Sequence, residues 1–311
     1  MNPLLSDAKA LRLAWDALLQ SHPHAHGPQA AAMLGVPEAA MVASRQGHGA
    51  TALNASLIDL LCHAAVPVSA WGKTLVAVRN GLGVSLAIQN ISSVGIAGDR
   101  VELWGPGYRA ALSQQGVASL YLLINEDSHG HTVSLNWFDG KGDVIGRLFL
   151  MAKSGREVAL PHVLQFAIPV PANDAFWQAN HCELPLHVAC ADVSTLPLVS
   201  HGLDAAKLMT RAVLACASAG DMHVGVHGLG ASQHYIGPLT KTSEAGGGVH
   251  ASDAGCKLHL MPRAAHTISR CEWRMADGRQ HAGLRILDSD GGALDLAPVS
   301  NGQTWLEEVF A

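Results

Sequence analysis

The feature that decides the fold is the segment VELWGPGYRAALSQQGVASLYL, Val101–Leu122, because it recurs 148 residues later as VHASDAGCKLHLMPRAAHTISR, Val249–Arg270. In both copies a glycine in a short turn precedes a basic residue and an apolar run. The match extends outward on both sides, pairing Val76–Ser85 with Val224–Ser232 and Trp137–Asp143 with Ile286–Gly292. A duplication of this length predicts two similar structural repeats in one chain.

The composition narrows the class of protein. A length of 311 residues suits two domains that each bury a core. A formal net charge of −5, with 14% charged residues, argues against a general binder of nucleic acid or anionic membranes. No apolar run is long enough to predict a membrane span. The first residues, MNPLLSDAKALRLAWDALLQ, lack the basic start and apolar core of a secretion signal, so we expect a cytoplasmic protein.

Hydrophobic periodicity predicts helices first and strands afterwards in each repeat. Helices are predicted over 6–20, 54–64 and 205–217, and two short helices are predicted within 30–45, on either side of a turn at 35–37. Strands are predicted over 73–79, 84–90, 100–104, 108–113, 117–124, 132–138 and 145–151, and again over 222–227, 231–236, 248–251, 256–261, 266–274, 281–287 and 293–297. This order predicts an α+β fold with an internal duplication, each repeat having short helices followed by an antiparallel β-sheet meander. The predicted domains are 1–165, an inter-repeat connection over 166–204, and 205–311.

Several segments together resemble the bacterial haemin-transport and haemin-degrading family, the HemS/HmuS-like proteins. The segment LGVPEAAMVASR at 34–45 is similar to the family's N-terminal helices, and VAVRNG at 76–81 to a strand that ends in Thr-Arg-Asn. The segment at 134–150 resembles the family's Ser-Leu-Gln-Phe-Phe-Asp stretch. The segment at 226–239 resembles the glycine-rich second-repeat stretch that ends in Gly-Pro-Val. The resemblance covers about residues 5–300, and internal duplication is itself a property of the family.

The resemblance implies a cytoplasmic protein that receives haem after uptake, as a carrier or as a haem-degrading enzyme with haem oxygenase-like activity. In the family, a histidine between the repeats ligates the iron, and an arginine from a first-repeat strand faces the other side. Arg79 matches that arginine and is predicted to face the ligand. Gln233 of the second-repeat stretch is the candidate haem-binding residue there; it alternates with His234 along a predicted strand, so only one of the two faces a pocket. The implied partners are haem and haem-uptake or haem-degrading proteins.

The family's axial histidine has no counterpart at its expected position. The stretch ACADVSTLPL, 189–198, aligns with the family motif, and Ser194 falls where the histidine belongs. Since a hydroxyl is a poor haem ligand, His201, one to two helical turns further on, and His187 are the candidate iron ligands, with His201 as the metal residue. The alternative is a haem-null relative whose duplicated scaffold binds another ligand or a protein partner.

Other histidines are candidate metal ligands, because the chain has 18 histidines in all. His223 and His227, four residues apart in a strand, share a face but lie too far apart to hold one ion. The remaining candidates are His22, His24 and His26 in one loop, His129 and His131 at a hairpin, and His250, His259 and His266 on different strands. No phosphate-binding loop or hydrolase motif is present, and the helix within 34–45 lacks the polar residues of a DNA-recognition helix.

Overall fold

Seven α-helices lie within the residues that the structure describes. The computed structural model describes residues 2–23, 25, 27–127, 130–169, 193–201, 203–274, 280–300 and 302–310. The helices are α1 (Ala8–Ser21), α2 (Gly27–Leu34), α3 (Glu38–Ala43), α4 (Leu57–Leu61), α5 (Lys153–Val163), α6 (Leu203–Ala215) and α7 (Gly302–Phe310). The predicted helices over 6–20, 30–45, 54–64 and 205–217 are confirmed, and the second of them is the pair α2 and α3.

Antiparallel strands make up most of the rest of the described chain. They are β1 (Ala50–Leu53), β2 (Lys73–Asn80), β3 (Gly83–Asn90), β4 (Ser93–Ala97), β5 (Arg100–Gly105), β6 (Tyr108–Ser113), β7 (Ser119–Asp127), β8 (Gly130–Phe138), β9 (Val144–Leu150), β10 (Val193–His201), β11 (Asp221–Gly228), β12 (Ala231–Pro238), β13 (Lys241–Ala245), β14 (Gly248–Ser252), β15 (Cys256–Leu260), β16 (Thr267–Arg274), β17 (Gln280–Leu287) and β18 (Ala293–Pro298). Every predicted strand is present, which confirms the α+β class.

The duplication is visible in the spacing of the strands. Strands β2 and β11 begin at residues 73 and 221, and the next five pairs along the chain keep this spacing, as far as β7 and β16, which begin at 119 and 267. Each pair is therefore 148 residues apart, as in the sequence alignment. The hairpin turns repeat as well: Gly98 has φ 64° and Gly246 has φ 60°. Glycine occupies both turns because a side chain strains this left-handed backbone.

Chain packing divides the molecule into two compact units that do not coincide with the sequence repeats. The first unit is 1–74 with 113–185, and the second is 75–112 with 186–311. The first unit contains the strand order β1-β7-β8-β9. The second contains the nine-stranded order β10-β16-β17-β18-β11-β12-β6-β5-β4 and the run β2-β3-β15-β14-β13. The domain boundaries at 165 and 204 stay a prediction, since residues 170–192 lie outside the described chain.

The strand orders show that the two repeats exchange a three-strand segment within the second unit. Strand β6 of the first repeat pairs with β12 of the second, with Tyr108 opposite Tyr235 and Leu112 opposite Ala231. Strand β15 of the second repeat pairs with β3 of the first in the corresponding way. This exchange explains why residues 75–112 belong with the second repeat rather than with the rest of the first.

Four strands were not predicted, and two of them show why. Strands β4 and β13 end their strand orders, and most of their residues are exposed. An edge strand that is exposed on both faces needs no apolar alternation, so SVGIA and KTSEA carry no period-two signal. Of the other two, β1 lies between two predicted helices where no element was predicted, and β10 lies in the predicted inter-repeat connection.

Helix α3 is a core element of the first unit. All six of its residues are buried. Ala39 and Val42 pack on Tyr121 and Phe138 of the sheet, while the intervening residues pack on α1 and α2. A helix buried on every side offers no face to a DNA groove, so the segment 34–45 contributes packing rather than recognition.

Candidate functional site

The predicted site residues fall on three strands. Arg79 is the penultimate residue of β2, Gln233 lies within β12, and His201 ends β10 opposite Thr267. Because residues 193–201 form a strand, the helical spacing assumed between Ser194 and His201 was wrong. His187 lies outside the described residues, as do His24, His26 and His129. The structure describes the backbone position of His201 but not the surroundings of its side chain.

Arg79 lies at a junction between the two repeats. The neighbouring Asn80 donates from Nδ2 to the carbonyl oxygens of His227, at 3.1 Å, and of Ala293, at 2.9 Å. A Cβ on Gly228 would lie 2.2 Å from the Arg79 carbonyl oxygen, so only glycine allows this approach. The end of β2 is therefore held against the end of β11 by a hydrogen bond and a close backbone contact. By the 148-residue offset, His227 is the second-repeat counterpart of Arg79.

Gln233 is placed in the interior on the opposite face of β12 from His234. Its side chain is 1% exposed, and Nε2 donates to Oγ of Ser85 on β3. Alternate residues of a strand point to opposite faces, so Gln233 and His234 do not share a site. The binding role of Gln233 stays a prediction, and its amide links two strands in this structure.

The structure brings together a buried polar group that the sequence did not predict. It consists of His223, His227, His234, Arg285 and Asp295, here called the histidine cluster. In the strand register, Gly225 of β11 lies opposite both His234 of β12 and Asp295 of β18. Arg285 of β17 lies opposite Asp295 in turn. Four neighbouring strands therefore contribute one polar face.

Gly225 provides the space at the centre of the cluster. A Cβ at this position would lie 3.0 Å from Nε2 of His227, 3.1 Å from Cε1 of His234 and 3.2 Å from Cβ of Asp295. His223 and His227 cannot reach each other directly along the strand. The imidazole of His234 fills the gap above Gly225, with its ring centroid 5.2 Å from that of His223 and 5.0 Å from that of His227.

One half of the cluster is an ionic network around Asp295, which is fully buried. Arg285 donates two hydrogen bonds to the carboxylate, from Nε and from Nη2, each 2.8 Å long. Nε2 of His227 lies 2.8 Å from Oδ2. Burial opposes ionisation of Asp295, but the bonds from Arg285 and His227 outweigh it and hold its pKa below the ordinary value. An ionised carboxylate only accepts, so Nε2 of His227 carries a hydrogen.

The other half is a pair of neutral imidazoles. Burial lowers the pKa of His223 to about 4. Burial, and then the neighbouring His227 and His223, lower the pKa of His234 well below its ordinary value. Nε2 of His223 and Nδ1 of His234 lie 3.0 Å apart and share one hydrogen bond. Both rings are uncharged at neutral pH.

This pairing fixes what the two rings present to their surroundings. A neutral imidazole has one N–H and one lone pair. The bond between the rings uses one of each, so the two outer nitrogens present one lone pair and one N–H, whichever tautomers are present. Those outer atoms, Nδ1 of His223 and Nε2 of His234, are buried and have no hydrogen-bond partner among the described residues. Because an unpaired buried polar atom is costly, these two nitrogens mark a candidate functional site.

The donor set suits ligation through a single imidazole rather than a caged ion. Within the described residues, no group of three or more His, Cys, Asp or Glu side chains is arranged to hold a metal ion. One buried neutral imidazole with a free lone pair is nevertheless the ligand that haem iron takes from a protein. The spacing of His223 and His227 in one strand was the only sequence signal for this cluster, and it was incomplete without the strand register.

The fold and this site define a duplicated α+β protein, with a buried imidazole site in its second unit. Residues 35–160 match the family described as the haemin-degrading HemS.ChuX domain. Less than half of the chain is matched, so the similarity to this family is shown for residues 35–160. No curated protein matches the sequence.

Solved structures share this fold along the whole chain. Holo-PhuS, a heme-binding protein from Pseudomonas aeruginosa, is 19% identical, with a TM-score of 0.77, over 97% of this chain and 98% of that one. ChuS, a heme degrading enzyme from Escherichia coli O157:H7, is 15% identical, with a TM-score of 0.75, over the same shares of each chain. At these identities the likeness is one of fold. Among the described residues, no helix is long and apolar enough to cross a membrane.

Proposed function

We propose that this protein binds haem and serves haem trafficking and utilisation. The observation that carries the proposal is the pair His223 and His234, two neutral imidazoles whose outer nitrogens are buried and present one unpaired lone pair. A histidine nitrogen is one of the axial ligands that proteins supply to haem iron. PhuS and ChuS, which share the fold, are described as heme-binding and heme-degrading proteins.

The histidine cluster gives this chain a source of imidazole that does not depend on the altered family motif. With Ser194 at the family's histidine position, one of His223 and His234 would hold the iron, and the other would hold the first in its tautomer. A hydrogen bond to the second ring nitrogen commonly orients a metal-ligating histidine. Arg79 would neutralise a propionate or hold an oxygen ligand, as the family resemblance implies.

The test is a titration of the apoprotein with haemin, followed at the Soret band. We expect saturation at one equivalent and a histidine-ligated spectrum. His234→Gly and His223→Gly should each lose that spectrum, and added imidazole should restore it by occupying the space of the missing ring. Circular dichroism of each variant separates a lost ligand from a lost fold.

Three further variants distinguish iron ligation by His223 or His234 from ligation by His201. Arg79→Ala should weaken haem binding without changing the axial ligand, while His201→Ala and His63→Ala should leave the spectrum intact. Loss of the histidine-ligated spectrum only in His201→Ala would identify His201, at the end of β10, as the iron ligand. The absence of any specific Soret shift would favour a haem-null scaffold that binds another ligand or a protein partner.

Haem degradation extends the proposal, since ChuS is described as a heme degrading enzyme. Bound haem supplies the iron at which oxygen is activated, and the protein's residues orient it and exclude water. Incubation of the complex with ascorbate and oxygen should bleach the Soret band and release iron. An intact Soret band would mean that the protein acts only as a haem carrier.

In this proposal the protein acts in the cytoplasm beside haem-uptake or haem-degrading proteins. Cell fractionation would test its location, and affinity capture with haem-loaded protein would test its partners.

A further inference from the structure

We infer that His250, His259 and Met261 form a copper-binding site on the hairpin of β14 and β15. His250 and His259 lie directly opposite each other in the strand register, and their Nδ1 atoms are 2.9 Å apart. His250 is half-buried and His259 is exposed, so solvent reaches the pair. The site is separate from the histidine cluster and does not rest on haem binding.

The separation of the two nitrogens matches a chelate with a right angle at the metal. Nitrogens about 2.0–2.1 Å from one ion lie about 2.9 Å apart at 90° and about 3.4 Å apart at the tetrahedral angle. The observed 2.9 Å therefore fits neighbouring positions of a square-planar or octahedral ion, the geometry typical of Cu(II) and Ni(II) rather than zinc. Without metal, the two rings share one hydrogen bond, and chelation requires a change of tautomer and a rotation of the rings that turns both Nδ1 lone pairs toward one ion.

Met261 adds a thioether on the same face. It is 48% exposed and has extended backbone, so it follows His259 on the same side of the strand. Its sulfur lies 3.5 Å from where a Cβ of Gly248 would stand, and Gly248 shares a face with His250. Thioether sulfur selects copper, above all Cu(I), over harder cations.

The hairpin beneath these side chains packs against the interior, and a lysine beside them is unfavourable for hard cations. Val249, Ala251 and Leu258 on the opposite face are buried. Packing thus holds the two histidines in register. Lys257 lies two residues before His259 on the exposed face. Binding therefore depends on ligand softness and geometry rather than on negative charge.

The experiment is titration of the haem-free full chain with Cu(II), followed by electron paramagnetic resonance. We expect one equivalent with coupling to two nitrogens. His250→Asn and His259→Asn should each weaken binding about tenfold or more, because each removes one of the two nitrogen ligands. His63→Asn, a matched change of another exposed histidine, should have no effect. Unchanged affinity in the double variant, or a spectrum without two-nitrogen coupling, would overturn the proposal.

Cu(I) tests the contribution of the sulfur. Met261→Leu keeps the size and apolar character of the side chain and removes the thioether. Competition with a chromophoric Cu(I) chelator should show weaker binding by this variant, while its Cu(II) affinity stays close to that of the wild type. Equal Cu(I) affinity would exclude Met261 from the site. Zinc in place of copper should bind more weakly, and zinc binding tighter than copper binding would contradict the inferred geometry.

Discussion

His227 and Asp295 lie on neighbouring strands, with Nε2 of the imidazole 2.8 Å from Oδ2 of the carboxylate, and Arg285 grips the same carboxylate from the next strand. His227 is also the counterpart of Arg79 at the 148-residue offset. The first repeat thus has an arginine where the second has a histidine hydrogen-bonded to a buried acid. This difference distinguishes the second repeat from the first at this position.

Removal of Asp295 should be strongly destabilising. Asp295→Ala leaves the guanidinium of Arg285 partly buried without its partner, and such loss costs about 3–5 kcal/mol. Urea unfolding followed by circular dichroism measures the change. The double variant Asp295→Leu with Arg285→Met removes both charges and should recover most of the loss. A single variant as stable as the wild type would show that the network contributes nothing to the fold.

The neutral imidazoles predict a loss of stability in mild acid. His223 has a pKa near 4 in the folded chain and an ordinary value near 6.5 in the unfolded chain. The unfolded state therefore binds more protons between these values, and stability falls as the pH drops from about 6.5 to about 4. For this shift the loss is on the order of 3 kcal/mol. Unfolding free energies from pH 7.5 to 4.5 measure it, and His223→Phe should flatten the slope.

Filling the space at Gly225 should lower both the stability of the fold and the affinity for haem. Gly225→Ala places a methyl group 3.0–3.2 Å from two imidazoles and the Asp295 side chain. Overpacking of this kind costs about 1–3 kcal/mol. Thermal unfolding should show the loss, and haem affinity should fall with it. Gly247→Asn is the control, because a Cβ there meets nothing within 4 Å and asparagine tolerates its positive φ.

Asp139 and Asp288 occupy equivalent turns in the two repeats, but their replacement by alanine should reduce stability by different amounts. Asp139 accepts hydrogen bonds from the amides of Lys141 and Asp143. Asp288, its counterpart, accepts from the turn amides of Asp290 and Gly292 and also from Gly81 at the end of β2. Each such bond contributes about 0.5–1.5 kcal/mol. Asp288→Ala should therefore destabilise more than Asp139→Ala in parallel denaturation curves, and the reverse order would contradict the assigned role of Gly81.

Histidine positions show where prediction from sequence stopped. The alternation of β11 correctly placed His223 and His227 on one face. Strand alternation also separated Gln233 from His234, as observed. Neither pattern could show that His234 lies between the other two, or that His250 faces His259, because both depend on the register between strands. For Arg79, His187, His201 and Gln233 the binding role stays a prediction.

By itself, the sequence determined the repeat of 148 residues, the α+β class and the positions of fourteen strands, because side-chain alternation and turn glycines act over short stretches of chain. Only the tertiary structure decided that β6 joins the second repeat and β15 the first. It alone brought His227, His234 and Asp295 together beside Gly225, with His223 and Arg285 hydrogen-bonded to this group. Strand pairing joins residues far apart in sequence, and its register depends on how whole faces pack. A site built across four strands therefore becomes visible only when the sheet is assembled.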